Sequence, residues 1–311
     1  VGATAPDLVD IKESNPPPGT TLYFKINLNI TPDAKALPAP KPLTGVFVPQ
    51  KYAAGSELKI LVWLHGHHEG TTTIDEYWTR YHSPKYQIRH TLNDSNLANF
   101  VLAAPSLAGD STAGDLIAAG GLEDYVGTVL AGLKKHAAAK FATLPPLQTV
   151  VVGAHSGGGR PMLVVAEKLT TSTFDQSVKE FWGFDCLYDV DSPYDMYKDP
   201  PVKPYGAGHT DPRKNTKPAE VRWFKWAKGG AKAKLTMRHA TDEPTTRCLN
   251  LKRLCAGDKF PAAPSGKDGW EEILGFDGGT PASGVTVTAS AEKGHEEMVK
   301  PNLLKQLTGS P

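Results

Sequence analysis

From Thr21 to Ile30, the segment TLYFKINLNI places an apolar residue at every second position: Leu22, Phe24, Ile26, Leu28 and Ile30. Period two puts all five on one face and predicts a strand with one dry side. LTGVFVP (43–49) predicts a second strand, joined to the first by a Pro- and Ala-rich connection over 31–42. The pattern then changes. LKILVWL (58–64), NFVLAAP (99–105), LQTVVVG (147–153), VKEFWGF (178–184), AKLTMRH (233–239) and GVTVTA (284–289) are short, nearly continuous apolar runs. Such runs are expected of strands buried on both faces of a parallel sheet.

Between these runs the spacing becomes helical. In 121–141, Leu122, Tyr125, Val126, Val129, Leu130 and Leu133 line one helix face. Helices are also predicted over 161–169, 219–228 and 296–307, with Pro301 expected to interrupt or restart the last. Two leading antiparallel strands followed by alternating strand and helix predict an α/β fold with a mostly parallel eight-strand sheet and helices on both faces. No internal repeat is visible. The Pro-rich stretch 199–218 lies between sheet strands, so residues 1–311 read as a single domain with an insertion.

Composition narrows the class. The 311 residues are 40% hydrophobic and 22% charged, which excludes disorder, collagen and coiled coil as global descriptions. With 34 Lys+Arg against 33 Asp+Glu, nothing suggests a nucleic-acid partner or a polybasic membrane anchor. No apolar run of about 18 residues exists, so membrane insertion is not expected. The 30 Gly and 26 Pro imply long loops. A chain beginning at Val1 fits a mature protein whose signal peptide has been removed, or a trimmed one, and a secreted or periplasmic setting is the expectation. Cys248 and Cys255 could close a small disulfide loop with Cys186 left over, or all three could be free thiols.

The strongest chemical signal is VVVGAHSGGGRPM (150–162). A β-branched strand runs into Ala154-His155-Ser156-Gly157-Gly158 and a helix-compatible segment follows. This is the pattern of a nucleophile elbow. The turn is so sharp that the serine takes strained φ/ψ, and residues two before and two after it must be small. The Gly157 N–H, opening a helix, can donate to an oxyanion. A Walker loop would need Gly-Lys-Ser/Thr, and a dinucleotide fingerprint would need G-x-G-x-x-G; neither is present.

On these residues and the order of its elements, the chain resembles the α/β-hydrolase superfamily over nearly its whole length. More narrowly, HSGGGR (155–160) and FDCLYD (184–189) resemble a bacterial hydrolase group with little described function. The resemblance implies a serine hydrolase with Ser156 as nucleophile and no cofactor. In LVWLHGHHEG (61–70), the loop after the third strand would supply the second oxyanion N–H, from His67 or His68, with Gly66 making room. The family order Ser, acid, His makes His295 the base, since only it lies after the last strand. Two carboxylates compete for the acid. Asp242 follows strand seven, where most members carry it, in a turn similar to the family's HGTxDP. Asp185 ends strand six, where pancreatic-type lipases carry it, and an unpaired charge at the end of an apolar strand would be costly. The loop similarity favours Asp242.

Residues 186–218 fall where this family inserts a lid, and Tyr188, with Trp78, His68 and His155, is a candidate to line a substrate pocket. His65, His67 and His68 also invite a zinc reading, but no third ligand has suitable spacing. The expected activity is hydrolysis of a small or polymeric carboxylic ester through an acyl-enzyme. The alternatives are an amidase or peptidase with the same triad, and a non-catalytic binding protein on the same scaffold.

Overall fold

The computed structural model describes residues 3–13, 16–30, 43–67, 86–95, 99–107, 111–170, 172–188, 218–259 and 279–309. Its strands are β1 (Gly19–Lys25), β2 (Leu43–Pro49), β3 (Leu58–Leu64), β4 (Phe100–Pro105), β5 (Leu147–His155), β6 (Val178–Phe184), β7 (Lys234–His239) and β8 (Val285–Ala289). They form one sheet in the order β1-β2-β4-β3-β5-β6-β7-β8. β1 pairs antiparallel with β2, and β2 with β4. Every other pairing is parallel.

Every predicted strand is present, and six of the eight start and end within one residue of the expected bounds. The first ends early. Residues 26–30 leave the ladder, although Ile26 and Leu28 stay buried against the core. The run 284–289 was expected to be buried on both faces, but β8 is the edge strand and its residues are half-buried to exposed.

The helices are α1 (Ile88–Asp94), α2 (Gly121–His136), α3 (Ala138–Phe141), α4 (Gly159–Lys168), α5 (Ala219–Lys228), α6 (Asp242–Ala256) and α7 (Val299–Thr308). Pro301 falls in the first turn of α7, where its missing N–H would have no helical partner in any case. Alternate residues of the central strands feed two cores. Leu58, Ile60, Val62 and Leu64 face the layer of α2, α4, α5 and α6, while Leu61 and Trp63 face α1 and α7.

The sequence reading missed α1 and α6. In α6 the buried apolar residues are Pro244, Cys248, Leu251 and Leu254, and Arg247 and Asn250 complete the buried face. Arg247 is fully buried, and its Nη1 meets the equally buried Glu220 of α5 at 3.1 Å. Asn250 Nδ2 donates to the same carboxylate at 3.4 Å. Burial pushes the Glu220 carboxyl up, against the pull of Arg247. The proposed disulfide fails on the same helix. Cys248 and Cys255 are seven residues apart along α6, about 10 Å by helical rise, beyond disulfide reach, and both are free thiols. Among the described residues, no helix is long and apolar enough to cross a membrane.

Replacing Glu220 with Ala leaves Arg247 in the interior without its buried partner. A loss of about 3 kcal/mol is expected, read as a lower urea midpoint with unchanged slope. A midpoint equal to that of the parent protein would mean that the remaining partners of Arg247, among them the half-buried Glu243 carboxylate 3.3 Å from its Nε, suffice.

Candidate active site

The carboxyl ends of β3, β5, β6 and β7 lie side by side, because these strands are neighbours and parallel. Ser156 follows the last residue of β5 with φ at 52°, a left-handed conformation costly for a residue with a Cβ. Packing enforces it. A Cβ on Gly158 would lie 2.4 Å from the Leu64 carbonyl oxygen at the end of β3. One on Gly159 would lie 2.0 Å from the Cys186 carbonyl oxygen beyond β6. The glycine run thus lets the start of α4 press onto two strand ends at once, and Ser156 stands at the turn between them.

A left-handed elbow at the end of the fifth strand, on a sheet of this order and these directions, decides the architecture. This is the α/β-hydrolase fold. Solved structures similar to it include a ferulic acid esterase, with 10% identity, TM-score 0.48, and coverage of 94% of this chain and 97% of that one. An S-formylglutathione hydrolase from Agrobacterium tumefaciens has 11% identity and TM-score 0.45, covering 96% and 98%. The carboxylesterase EstE1 from a metagenomic library has 14% identity and TM-score 0.43, covering 94% and 88%. By sequence, no family model and no curated protein matches the chain.

Asp185, the residue after β6, is also left-handed, with φ at 46°, and is completely buried. Its carboxylate takes four hydrogen bonds. Oδ1 accepts the backbone N–H of Ala240 at 2.8 Å and of Thr241 at 3.1 Å. Oδ2 accepts the Thr241 hydroxyl at 2.6 Å and lies 2.6 Å from His295 Nδ1. Burial by itself would raise this carboxyl, but the bonds from His295, Thr241 and Ala240 outweigh it and hold it below the usual range. Asp242, the carboxylate favoured from the sequence, is placed elsewhere. It is the first residue of α6 and is exposed, where a negative charge suits the helix N-terminus. His295 therefore pairs with Asp185. What the sequence obscured was the helix beginning at 242, which turns Asp242 outward and aims the N–H groups of 240 and 241 at β6.

His155 connects the two halves of the site. It was expected to contact substrate, but it is buried, with its Nε2 2.9 Å from the His295 carbonyl oxygen and its ring 4.4 Å from the His295 ring. Burial, and then the neighbouring His295, lower its pKa to about 3. The neutral ring donates its Nε2–H to that carbonyl. The residue preceding Ser156 thus holds the backbone of His295.

The loop after β3 is shaped by His65, which sequence reasoning weighed only as a metal ligand. Its Nε2 accepts the Leu107 N–H at 2.8 Å, so the proton is on Nδ1, which donates to the Gly66 carbonyl at 2.8 Å. A Cβ on Gly66 would sit 2.7 Å from Ser156 Cβ, so only glycine fits there. The His67 N–H approaches the Cα of Gly157: a Cβ at 157 would be 3.1 Å from it. Among the described residues, no three His, Cys, Asp or Glu side chains come together as a metal site. Tyr188 stands edge-on to His295, its hydroxyl 3.3 Å from both His295 Nδ1 and Thr241 Oγ1. His68, Trp78 and the lid expected over 186–218, apart from Cys186, Leu187, Tyr188 and Pro218, lie outside the described residues.

The low pKa of His155 makes the unfolded chain the better proton acceptor below the ordinary imidazole value of about 6.5. Stability should therefore decline as pH falls from there towards about 3. Asp185 acts in the same direction at lower pH, because its stabilisation is lost as pH drops through its depressed pKa. Melting curves from pH 7 to pH 5 should show a shallower decline for His155→Asn than for the parent protein. An unchanged slope would assign the dependence to His90 and His239, whose pKa values are also lowered by burial.

Proposed function

We propose that the protein is a serine hydrolase acting on carboxylic esters. The observation that carries this reading is the pairing of buried Asp185 with His295, whose backbone is held by His155, the residue before the left-handed Ser156. With Nδ1–H committed to Asp185, the His295 Nε2 is the acceptor. Ser156 Oγ attacks the acyl carbon and its proton passes to Nε2. The carbonyl oxygen, now negative, is received by the N–H groups of Gly157 and His67. The imidazolium returns its proton to the departing alcohol. Water then attacks the acyl-enzyme with His295 as base.

Asp185 does not take a proton in this scheme. Its four hydrogen bonds keep it ionised, and its charge favours the imidazolium. The His295 side chain is 32% exposed, which leaves water a route to the imidazole for the second step. No step calls for a cofactor. The same groups would cleave an amide, with the leaving amine protonated at His295, and matched ester and amide substrates separate the two readings.

Ser156→Ala should abolish turnover of p-nitrophenyl acetate and labelling by a fluorophosphonate, with the melting curve nearly unchanged; residual turnover at the parent rate would refute the assignment. Asp185→Asn should lower kcat by about 10⁴-fold. Asp242→Asn should stay within a few-fold of the parent. The reverse ranking would restore Asp242 as the acid.

A further inference from the structure

Ser111 lies in the segment after β4, one strand removed from β5, and belongs to none of the groups assigned above. Three features set it apart. It is 2% exposed, its Oγ has no hydrogen-bond partner, and its φ is 61°. A serine hydroxyl is ordinarily satisfied when buried, and a non-glycine residue is rarely left-handed. A Cβ built on Gly157 would meet Ser111 Oγ at 2.9 Å and His67 N at 3.1 Å, so the hydroxyl oxygen and that nitrogen both lie beside the bare face of Gly157.

We infer that the Ser111 hydroxyl is a third donor to the oxyanion, beside the N–H groups of Gly157 and His67. The inference rests on the esterase reading of Ser156. When the Ser156 Oγ–C bond forms, the carbonyl π pair moves onto oxygen, and the serine proton goes to His295. The Ser111 proton stays on Ser111 and is shared with the new negative charge. In the free enzyme this hydroxyl lacks a partner; the transition state supplies one. A donor preorganised in this way lowers the barrier without strengthening ground-state binding.

Its placement has a structural cause. His65 binds the Leu107 N–H with one nitrogen and the Gly66 carbonyl with the other, fastening the segment after β4 to the loop that carries His67. Beyond Ser111, the Asp115 N–H donates to the Leu28 carbonyl at 2.7 Å, and Asn29 Nδ2 donates to the Asp115 carboxylate at 2.6 Å. Leu107 and Asp115 are thus fixed on either side of Ser111. Gly157 completes the arrangement, since any side chain there would fill the space between the donors.

The test uses Ser111→Ala and Ser111→Gly on the full chain. Both remove the hydroxyl, but glycine also accepts a positive φ without strain, so it keeps the fold accessible if alanine does not. Each should lower kcat for p-nitrophenyl acetate by about 10²-fold with KM little changed. Binding of a trifluoromethyl ketone, which forms a tetrahedral adduct with serine, should weaken by a similar factor. The melting temperature should hold or rise, because an unpartnered buried hydroxyl is gone. A residue with only a packing role would give the opposite result, a lower melting temperature with kcat intact. Turnover within twofold of the parent in the glycine variant overturns the inference. If Ser156→Ala is inactive at the same time, only the role of Ser111 falls; if Ser156→Ala remains active, the reading of the whole site falls with it.

Discussion

One buried carboxylate organises the carboxyl end of the sheet in this protein. Asp185 leaves β6 in a left-handed conformation and is closed off from water. A bare charge there would be prohibitively costly. Its four hydrogen bonds remove that cost, and each fixes something else. Two backbone N–H groups set the path of the chain from β7 into α6. The Thr241 hydroxyl, at the N-cap position of α6, turns to the carboxylate instead of capping its own helix. The fourth bond fixes the rotamer and tautomer of His295. Sheet, helix and His295 are in register because one anion must be satisfied.

The same region concentrates backbone strain. Among the described residues, the non-glycine positions with positive φ are Asn29, Gln87, Ser111, Ser156 and Asp185, and the last three belong to the proposed site. Strain of this kind persists where the surroundings over-determine the chain. Here they do so through contact. The start of α4 is wedged against β3 and β6, His65 clamps two loops, and His155 grips the backbone of His295. Two histidines first weighed for metal or substrate thus act as neutral structural hydrogen-bonding groups, one an acceptor and donor between loops, the other a donor to the base's own carbonyl.

Much of this was legible in the chain itself. The strands were readable because a parallel sheet buries both faces, which writes an apolar run into the sequence. Ser156 was readable because an elbow admits only small neighbours. His295 followed from the order of elements in the resembling family. Helix α6 escaped notice because its buried face is completed by Arg247 and Asn250, whose burial makes sense only against Glu220 of α5. The same omission hid where Asp242 lies, since the start of α6 is what makes it a surface residue.

The sequence by itself therefore determined the class of sheet, the serine at its turn and the histidine after its last strand. All three are local or ordered along the chain. Tertiary structure alone set Asp185, and not Asp242 57 positions further on, against His295, turned His155 to the backbone of His295, and brought Ser111 to the bare face of Gly157. These outcomes depend on which groups meet across neighbouring strand ends. Hydrogen-bond satisfaction in a dry interior is settled by three-dimensional proximity, which no spacing along the chain encodes.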